Sequence, residues 1–396
     1  MRPSAATLAE IDGLDGLPFD DDLVAELWQT GQHWQAKPLF ASTPSFKTYT
    51  SDHLPLSPKR TEGLGAALPA GQGAGPIRSE APALPSACSA STGAFPAFSI
   101  TGGTCALACE HCGGRILEPM LPTGPPDAFE RTVHAMHDRQ GLRGFLLSGG
   151  SNLRNEVPFE RYLPAVKRLK AALPHLEVAV HTGLVDERRA DVLAEANIEV
   201  AMLDIIGAPE TIREVYRLDR PVADFEASLA HLVAAGLDVV PHIVIGLHFG
   251  TLLGEQAALQ IIARHKTRAA IAVVLMPHLA RPGRFQTPTE IDVARTLLTA
   301  RRLLPDRTLL LGCARPAGRH RAITDAYAVL AGIDGIAFPA DGALALSQAL
   351  GRTPGRSPSC CGVNACSSSG YKKTEGSGAV LPAGYGAGPI RDAVVN

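Results

Sequence analysis

"FSITGGTCALACEHCGG", residues 98–114, joins a short apolar run to three cysteines spaced C-x3-C-x2-C and a glycine pair. The run reads as a strand. Seven more of the same kind follow: "GFLLSGG" (144–150), "EVAVHTG" (177–183), "IEVAMLDIIG" (198–207), "DVVPHIVIG" (238–246), "AAIAVVLMP" (269–277), "TLLLGCARP" (308–316) and "DGIAFPA" (334–340). Amphipathic stretches such as "FERYLPAVKRLKAAL" and "TEIDVARTLLTARRLL" fall between them and carry helical spacing. Near-continuous apolar strands joined by helices imply a parallel sheet buried on both faces. Eight such units close into a (β/α)8 TIM-type barrel; an open doubly wound sheet is the alternative. The cysteine loop then follows the first barrel strand, at the C-terminal mouth where barrel active sites are built.

Outward from this frame the texture changes. Residues 1–97 read as an N-terminal helix, around "DDDLVAELWQTGQ", and an extended arm rich in Pro, Gly, Ser and Ala. The barrel is expected over 98–351, and residues 352–396 form a second, cysteine-containing arm. The arms share a repeat: "KRTEGLGAALPAGQGAGPIR" (59–78) recurs as "KKTEGSGAVLPAGYGAGPIR" (372–391), with 16 of 20 positions identical. Two copies are too few for a solenoid. The repeat reads either as a duplicated structural loop or as two equivalent arms over the barrel mouth.

Charged residues make up 19% of the 396 and the net charge is −2, so there is no electrostatic footprint for nucleic acid. No apolar run is long enough to span a membrane, and the N-terminus lacks the pattern of a secretory signal. The expected compartment is the cytoplasm. There, the eight cysteines are metal ligands or catalytic thiols rather than disulfides.

Structural zinc takes four closed ligands, usually as two C-x2-C knuckles, and only one compact triplet exists here. His111 lies between two of the cysteines, where ligating the same ion would strain the loop. A 4Fe–4S cluster accepts thiolates at such spacings, and three cysteines leave one iron open.

With Cys105, Cys109 and Cys112 following the first strand, the chain resembles the radical S-adenosylmethionine (radical SAM) enzymes. The resemblance implies a 4Fe–4S cluster on the three cysteines, with S-adenosylmethionine on the open iron. Reductive cleavage of the sulfonium then gives a 5′-deoxyadenosyl radical that abstracts hydrogen from unactivated carbon. The second strand ends in "LLSGGSN" (146–152), matching the family's Gly-Gly motif, which presents backbone groups to the methionine amine. This assigns Ser148, Gly149, Gly150, Ser151 and Asn152 to the cofactor, although Ser151 and Asn152 stand where most members carry an acid. His181, Asp204 and Gly246, at the ends of the third, fourth and fifth strands, are further cofactor-binding candidates. Asp204 is the best of these, because an acid in an apolar strand needs a partner. His242 and His278 stand at strand ends too. Arg281, Arg284 and Arg315 read either as carboxylate partners or as solvated rim charges.

The remaining cysteines, Cys88, Cys313, Cys360, Cys361 and Cys366, are candidates for an auxiliary iron–sulfur cluster. The set of "SITGGTCALACEHCGGRILEPM", "SGGSN", "HTGLVDE", "PHIVIGLHFG" and "GCARP" is most similar to the biotin-synthase-related radical SAM proteins. Within these it looks most like subunits of two-protein lipoyl synthases. The resemblance implies sulfur insertion at C6 or C8 of an octanoyl chain on a lysine of a lipoyl carrier protein. It also implies a second radical SAM subunit and a ferredoxin-like electron donor as partners. Another biotin-synthase-like activity and a noncatalytic iron–sulfur partner subunit are the alternatives.

Overall fold

The computed structural model describes residues 3–43, 95–357, 359–360 and 362–363. Cys88, Cys361, Cys366 and both copies of the repeat lie outside the described residues. The eight expected strands are present as β2 (Ala97–Ser99), β4 (Gly144–Ser148), β5 (Glu177–His181), β6 (Val200–Asp204), β7 (Asp238–Ile245), β8 (Ala269–Val274), β9 (Thr308–Leu311) and β10 (Gly335–Ala337). They pair in parallel in that order, each beside its successor. The strands' inner side chains meet in one interior: Ala179, Val200, Val240, Ile271, Leu310 and Ala337 share a buried cluster. That convergence is the curvature of a TIM-type barrel.

The sheet runs further than the eight strands. β1 (Leu39–Ser42) pairs with β10 on one side and β11 (Pro354–Ser357) on the other, while β3 (Leu121–Pro122) pairs with β2 at the opposite edge. Hydrogen bonding ends at β3 and β11, and no ladder joins these edges among the described residues. Four-residue strands at the borders of segments read as arms carry too little periodicity to stand out. They form because β10 offers a free edge, and Arg352 ties the two segments together. Buried to 1% exposure, it donates to the carbonyls of Lys37, Pro38 and Ile333.

The outer helices cover the sheet as their apolar spacing predicts. α3 (Pro126–Gln140) buries Phe129, Val133 and Met136 and stops at Gly141, whose left-handed φ of 61° suits glycine. α9 (Glu290–Leu303) starts at Thr289, whose side chain accepts from the Asp292 N–H. Phe98, Phe129 and Phe145 stack edge to face at 5.2–5.7 Å. Each such ring stabilises the fold by about 1.5–3 kcal/mol on burial. Phe98 thereby anchors β2, and so fixes where the cysteine loop leaves the sheet.

The C-terminal segment closes the other end. Ser359 hydrogen-bonds Glu177, the first residue of β5. Gly362 packs on Met202 so closely that a Cβ would fall 2.7 Å from its sulfur. Cys360 and Val363 are buried among the interior residues. A segment assigned to an outer arm therefore enters the barrel from the N-terminal ends of the strands. No described helix is long and apolar enough to cross a membrane.

Candidate active site

A cavity of about 300 Å³ opens at the C-terminal ends of the strands, within the size range of ligand sites. Cys105, Cys109 and Cys112 line one wall, and Ser148, Gly149, Gly150 and Ser151 line the adjoining one. Ala108, Gly113 and Gly114 adopt positive φ (44°, 54° and 82°), which turns the cysteine loop back on itself. Cys109 and Cys112 pack with Leu107, Ile212, Tyr216 and Phe285 in an apolar cluster separate from the main core.

The glycine pair proves to serve the cysteine loop. A Cβ on Gly150 would lie 2.0 Å from the Thr104 oxygen and 2.6 Å from the Cys105 Cα. The Gly150 N–H donates to Thr101 Oγ1 at 2.7 Å. The Ser151 carbonyl accepts from the N–H groups of Ala106 and Leu107 at 3.0 and 3.2 Å. The close approach that requires glycine at 150 is thus by protein backbone.

Cys105, Cys109 and Cys112 are free thiols. Burial, then repulsion by Cys112 and Cys105, holds the Cys109 thiol well above the usual range. Burial also pushes Cys112 up to about 11. Such thiols are neutral unless a cationic centre takes them as thiolates. Among the described residues, no three His, Cys, Asp or Glu side chains converge on a single ion. Three thiols along one cavity wall are the donor set that an iron–sulfur cluster takes, in which each cysteine binds a different iron.

Across the cavity, Asp204 ends β6 between His181 of β5 and His242 of β7. His181 Nε2 lies 3.6 Å from Asp204 Oδ1, and the Tyr216 hydroxyl donates to Oδ2 at 3.4 Å. The His181 and His242 rings stand 5.2 Å apart, edge to face. Burial opposes the charge on Asp204, yet pairing with His181 outweighs it and brings the carboxyl down to about 2. Burial likewise disfavours charged His181, and Asp204 overcomes it, so the net shift is upward. Burial, then repulsion from His181, lowers His242 to about 4. Its Nδ1–H donates to the Val240 carbonyl at 3.1 Å in the neutral form.

The sign of the pH dependence follows. The unfolded chain protonates His242 near pH 6.5 and the folded one only near 4, so its contribution is present above 6.5 and lost as pH falls through 4. His181 acts oppositely: its contribution is present below 6.5 and lost as pH rises through its raised value. On the acid side, stability is expected to fall by up to about 1.4 kcal/mol per pH unit on account of His242. Thermal melts of wild type and His242→Asn between pH 7 and 4 test this. An unchanged acid slope in the variant would remove His242 as its source.

Other expected residues fall elsewhere. Asn152 uses its side chain to accept from the N–H groups of Arg154 and Glu156, shaping its own loop outside the cavity lining. Gly246, with φ 76°, is pressed against Pro288 and donates to Glu255 at 2.8 Å, also outside the lining. Arg315 is buried at 1% exposure against Asp325 and the carbonyls of Gly312, Ala337 and Phe338. It is a positioning residue for the turn that places Cys313 in the cavity wall. Cys360 joins that wall from below.

Sequence reading missed two residues. Tyr216 touches the site from a connection more than 100 residues past the cysteines, and nothing in "EVYRLD" marks it. Glu110 lies between Cys109 and Cys112, 2% exposed, and pairs with Arg217, Arg281 and Arg284. A short acid inside an apolar loop was its available signal.

Residues 99–252 match the family described as the Radical SAM superfamily. A 4Fe–4S cluster and S-adenosylmethionine are the cofactors that the family implies. A comparison with curated proteins returned no match in sequence. Among solved structures, the chain is similar to HydG, a maturase of the FeFe-hydrogenase, with a TM-score of 0.52 and 14% identity over 88% of this chain and 71% of that one. Methylornithine synthase (PylB) gives a TM-score of 0.45 at 14% identity, over 67% of this chain and 84% of that one. Streptococcus suis SuiB bound to S-adenosylmethionine gives 0.42 at 14%, over 58% and 52%. At this identity the HydG likeness establishes the fold alone.

Proposed function

We propose that this chain is a radical SAM sulfur-insertion enzyme acting on an octanoyl chain carried on a lysine of a lipoyl carrier protein. A second radical SAM subunit completes the reaction. The observation that carries this reading is Cys360, delivered through the barrel interior to the cavity that also holds Cys105, Cys109 and Cys112. Cys313 faces the same space. Two cysteines beside a radical-generating centre suit an auxiliary iron–sulfur centre that supplies sulfur. Cys88, Cys361 and Cys366 are the candidates for its other ligands. The rest of the wall supports a saturated acyl substrate, since Ala97, Leu146, Val244, Val273, Leu275 and Met276 offer contact without hydrogen bonds.

The cluster, when bound, would supply the electron that cleaves S-adenosylmethionine. The chain's own residues do the rest. Cys105, Cys109 and Cys112 would hold it and leave one iron for the cofactor. Ser148, Gly149, Gly150 and Ser151 border the space beside it, and Asp204 with His181 offers a half-buried carboxylate opposite.

The test is the anaerobically reconstituted chain with octanoylated carrier protein and the second subunit, read by mass spectrometry of the carrier. Cys313→Ala and Cys360→Ala are expected to lower sulfur incorporation at least about 50-fold. Formation of 5′-deoxyadenosine should stay within about threefold. Sulfur transfer surviving in both variants would remove these thiols as the source.

A further inference from the structure

Glu110 is a buried acid whose surroundings the proposed chemistry does not use. Cys109 precedes it and Cys112 follows two residues later. Its N–H donates to the Val215 carbonyl at 2.8 Å, and its own carbonyl accepts from the Arg281 N–H at 3.4 Å. The cysteine loop is thus stitched to two connections, one following α6 (Pro209–Glu214) and one following β8. Each connection returns arginines to the Glu110 carboxylate. Arg217 pairs with Oε1, Arg284 approaches Oε2 at 3.2 Å and Arg281 approaches it at 3.6 Å.

The carboxylate is 1% exposed, whereas the three arginine side chains are 48%, 62% and 52% exposed for Arg217, Arg281 and Arg284. Three cations thus share one buried anion and present a surplus of two positive charges to solvent. Arg284 is further held 5.0 Å above the Phe249 ring. Arg115, in the turn after Cys112, donates to the Ala280 carbonyl beside Arg281. Arg220 is already matched by Asp224 at 3.0 Å. None of Arg217, Arg281 and Arg284 lines the cavity. The patch therefore stands on the outer side of the cysteine loop, with the substrate space on the inner side.

We propose that Arg217, Arg281 and Arg284 form the docking surface for an acidic one-electron carrier protein that reduces the centre held by Cys105, Cys109 and Cys112. The proposal rests on the radical SAM reading of the site. The carrier loses one electron and the centre gains one; no bond forms or breaks and no proton moves. A patch on the cysteine loop's outer side lies next to the centre without obstructing the cavity. Long-range attraction between opposite charges raises encounter rates and weakens with salt.

The test uses the reconstituted full-length chain with a reduced ferredoxin. Two quantities are read: the dissociation constant of the complex by calorimetry, and 5′-deoxyadenosine formation driven by ferredoxin or by dithionite. Arg281→Glu is chosen because Arg281 is the most exposed and the most distant from Glu110, so Arg217 and Arg284 still neutralise the buried acid. Arg281→Gln/Arg284→Gln is the second variant. Ferredoxin affinity is expected to weaken at least about tenfold in both, and wild-type affinity to fall between 50 and 300 mM salt. Unaltered, salt-insensitive ferredoxin binding would overturn the docking surface while leaving the radical reading intact. Weakened binding of the acyl carrier protein, with ferredoxin binding unchanged, would overturn it too and assign the patch to the substrate. Wild type that carries its iron yet cleaves nothing with dithionite would instead sink the radical reading, and this proposal with it.

Discussion

Replacing any one of Cys105, Cys109 or Cys112 by alanine is expected to lower 5′-deoxyadenosine formation at least about a hundredfold. The reason is ligand arithmetic. Three thiolates already leave one iron open, and a second vacancy, on another iron, gives a centre that loses iron or binds the cofactor wrongly. The fold should survive. Cys109 and Cys112 belong to a small apolar cluster at the mouth, distinct from the core between sheet and helices. Trading a buried sulfur for a methyl costs about 1–2 kcal/mol there. Iron content, cluster absorption and circular dichroism melting on the same samples separate the two effects. Low iron with a near-native melt is the expected pattern. Undiminished deoxyadenosine in any of the three variants would remove the radical chemistry from this loop. Equal loss of melt and of iron would show that the cysteines hold the barrel together.

The barrel was legible because its strands are long in apolar residues and evenly interleaved with amphipathic helices. β4 to β9 were all read within a few residues of their bounds. β1, β3 and β11, of two to four residues, were not read, because so short a strand is specified by the edge it joins rather than by its own pattern. The cysteine triplet was legible because its spacing is local. The partners of Glu110 lie more than 100 residues downstream, so no local pattern connects them. Arg315 shows the same limit from the other side. One arginine near a strand end reads equally as a carboxylate partner or a rim charge, and only the buried Asp325 ten residues later decides for the first. Cys360 was read as an arm cysteine because the sequence around it resembles linker. Only Gly362, small enough to pass Met202, hints that the segment threads the barrel.

Gly150→Ala is expected to abolish cluster loading without touching a ligand. The added methyl would stand 2.0 Å from the Thr104 oxygen and 2.7 Å from the Cys105 Cβ, and backbone on both sides leaves no flexible end to yield. One of the two loops must therefore move. The cysteine loop is held to the Gly150 turn by the Thr101 hydroxyl and by the two N–H groups on the Ser151 carbonyl. Displacing it breaks these bonds and shifts Cys105 relative to Cys109 and Cys112. Overpacking of this kind costs about 1–3 kcal/mol, too little to unfold a barrel of this size. It is ample, however, to misplace a thiolate, since cluster ligation tolerates little error in ligand position. Gly103→Ala is the matched control: it lies on the same loop, with no atom within 4 Å of its would-be Cβ and no positive φ. Iron per chain should fall to a fifth or less in Gly150→Ala and stay near wild type in Gly103→Ala. The melts of both should differ from wild type by only a few degrees. Full iron loading in Gly150→Ala would mean that the glycine pair does not govern where the cysteine loop sits.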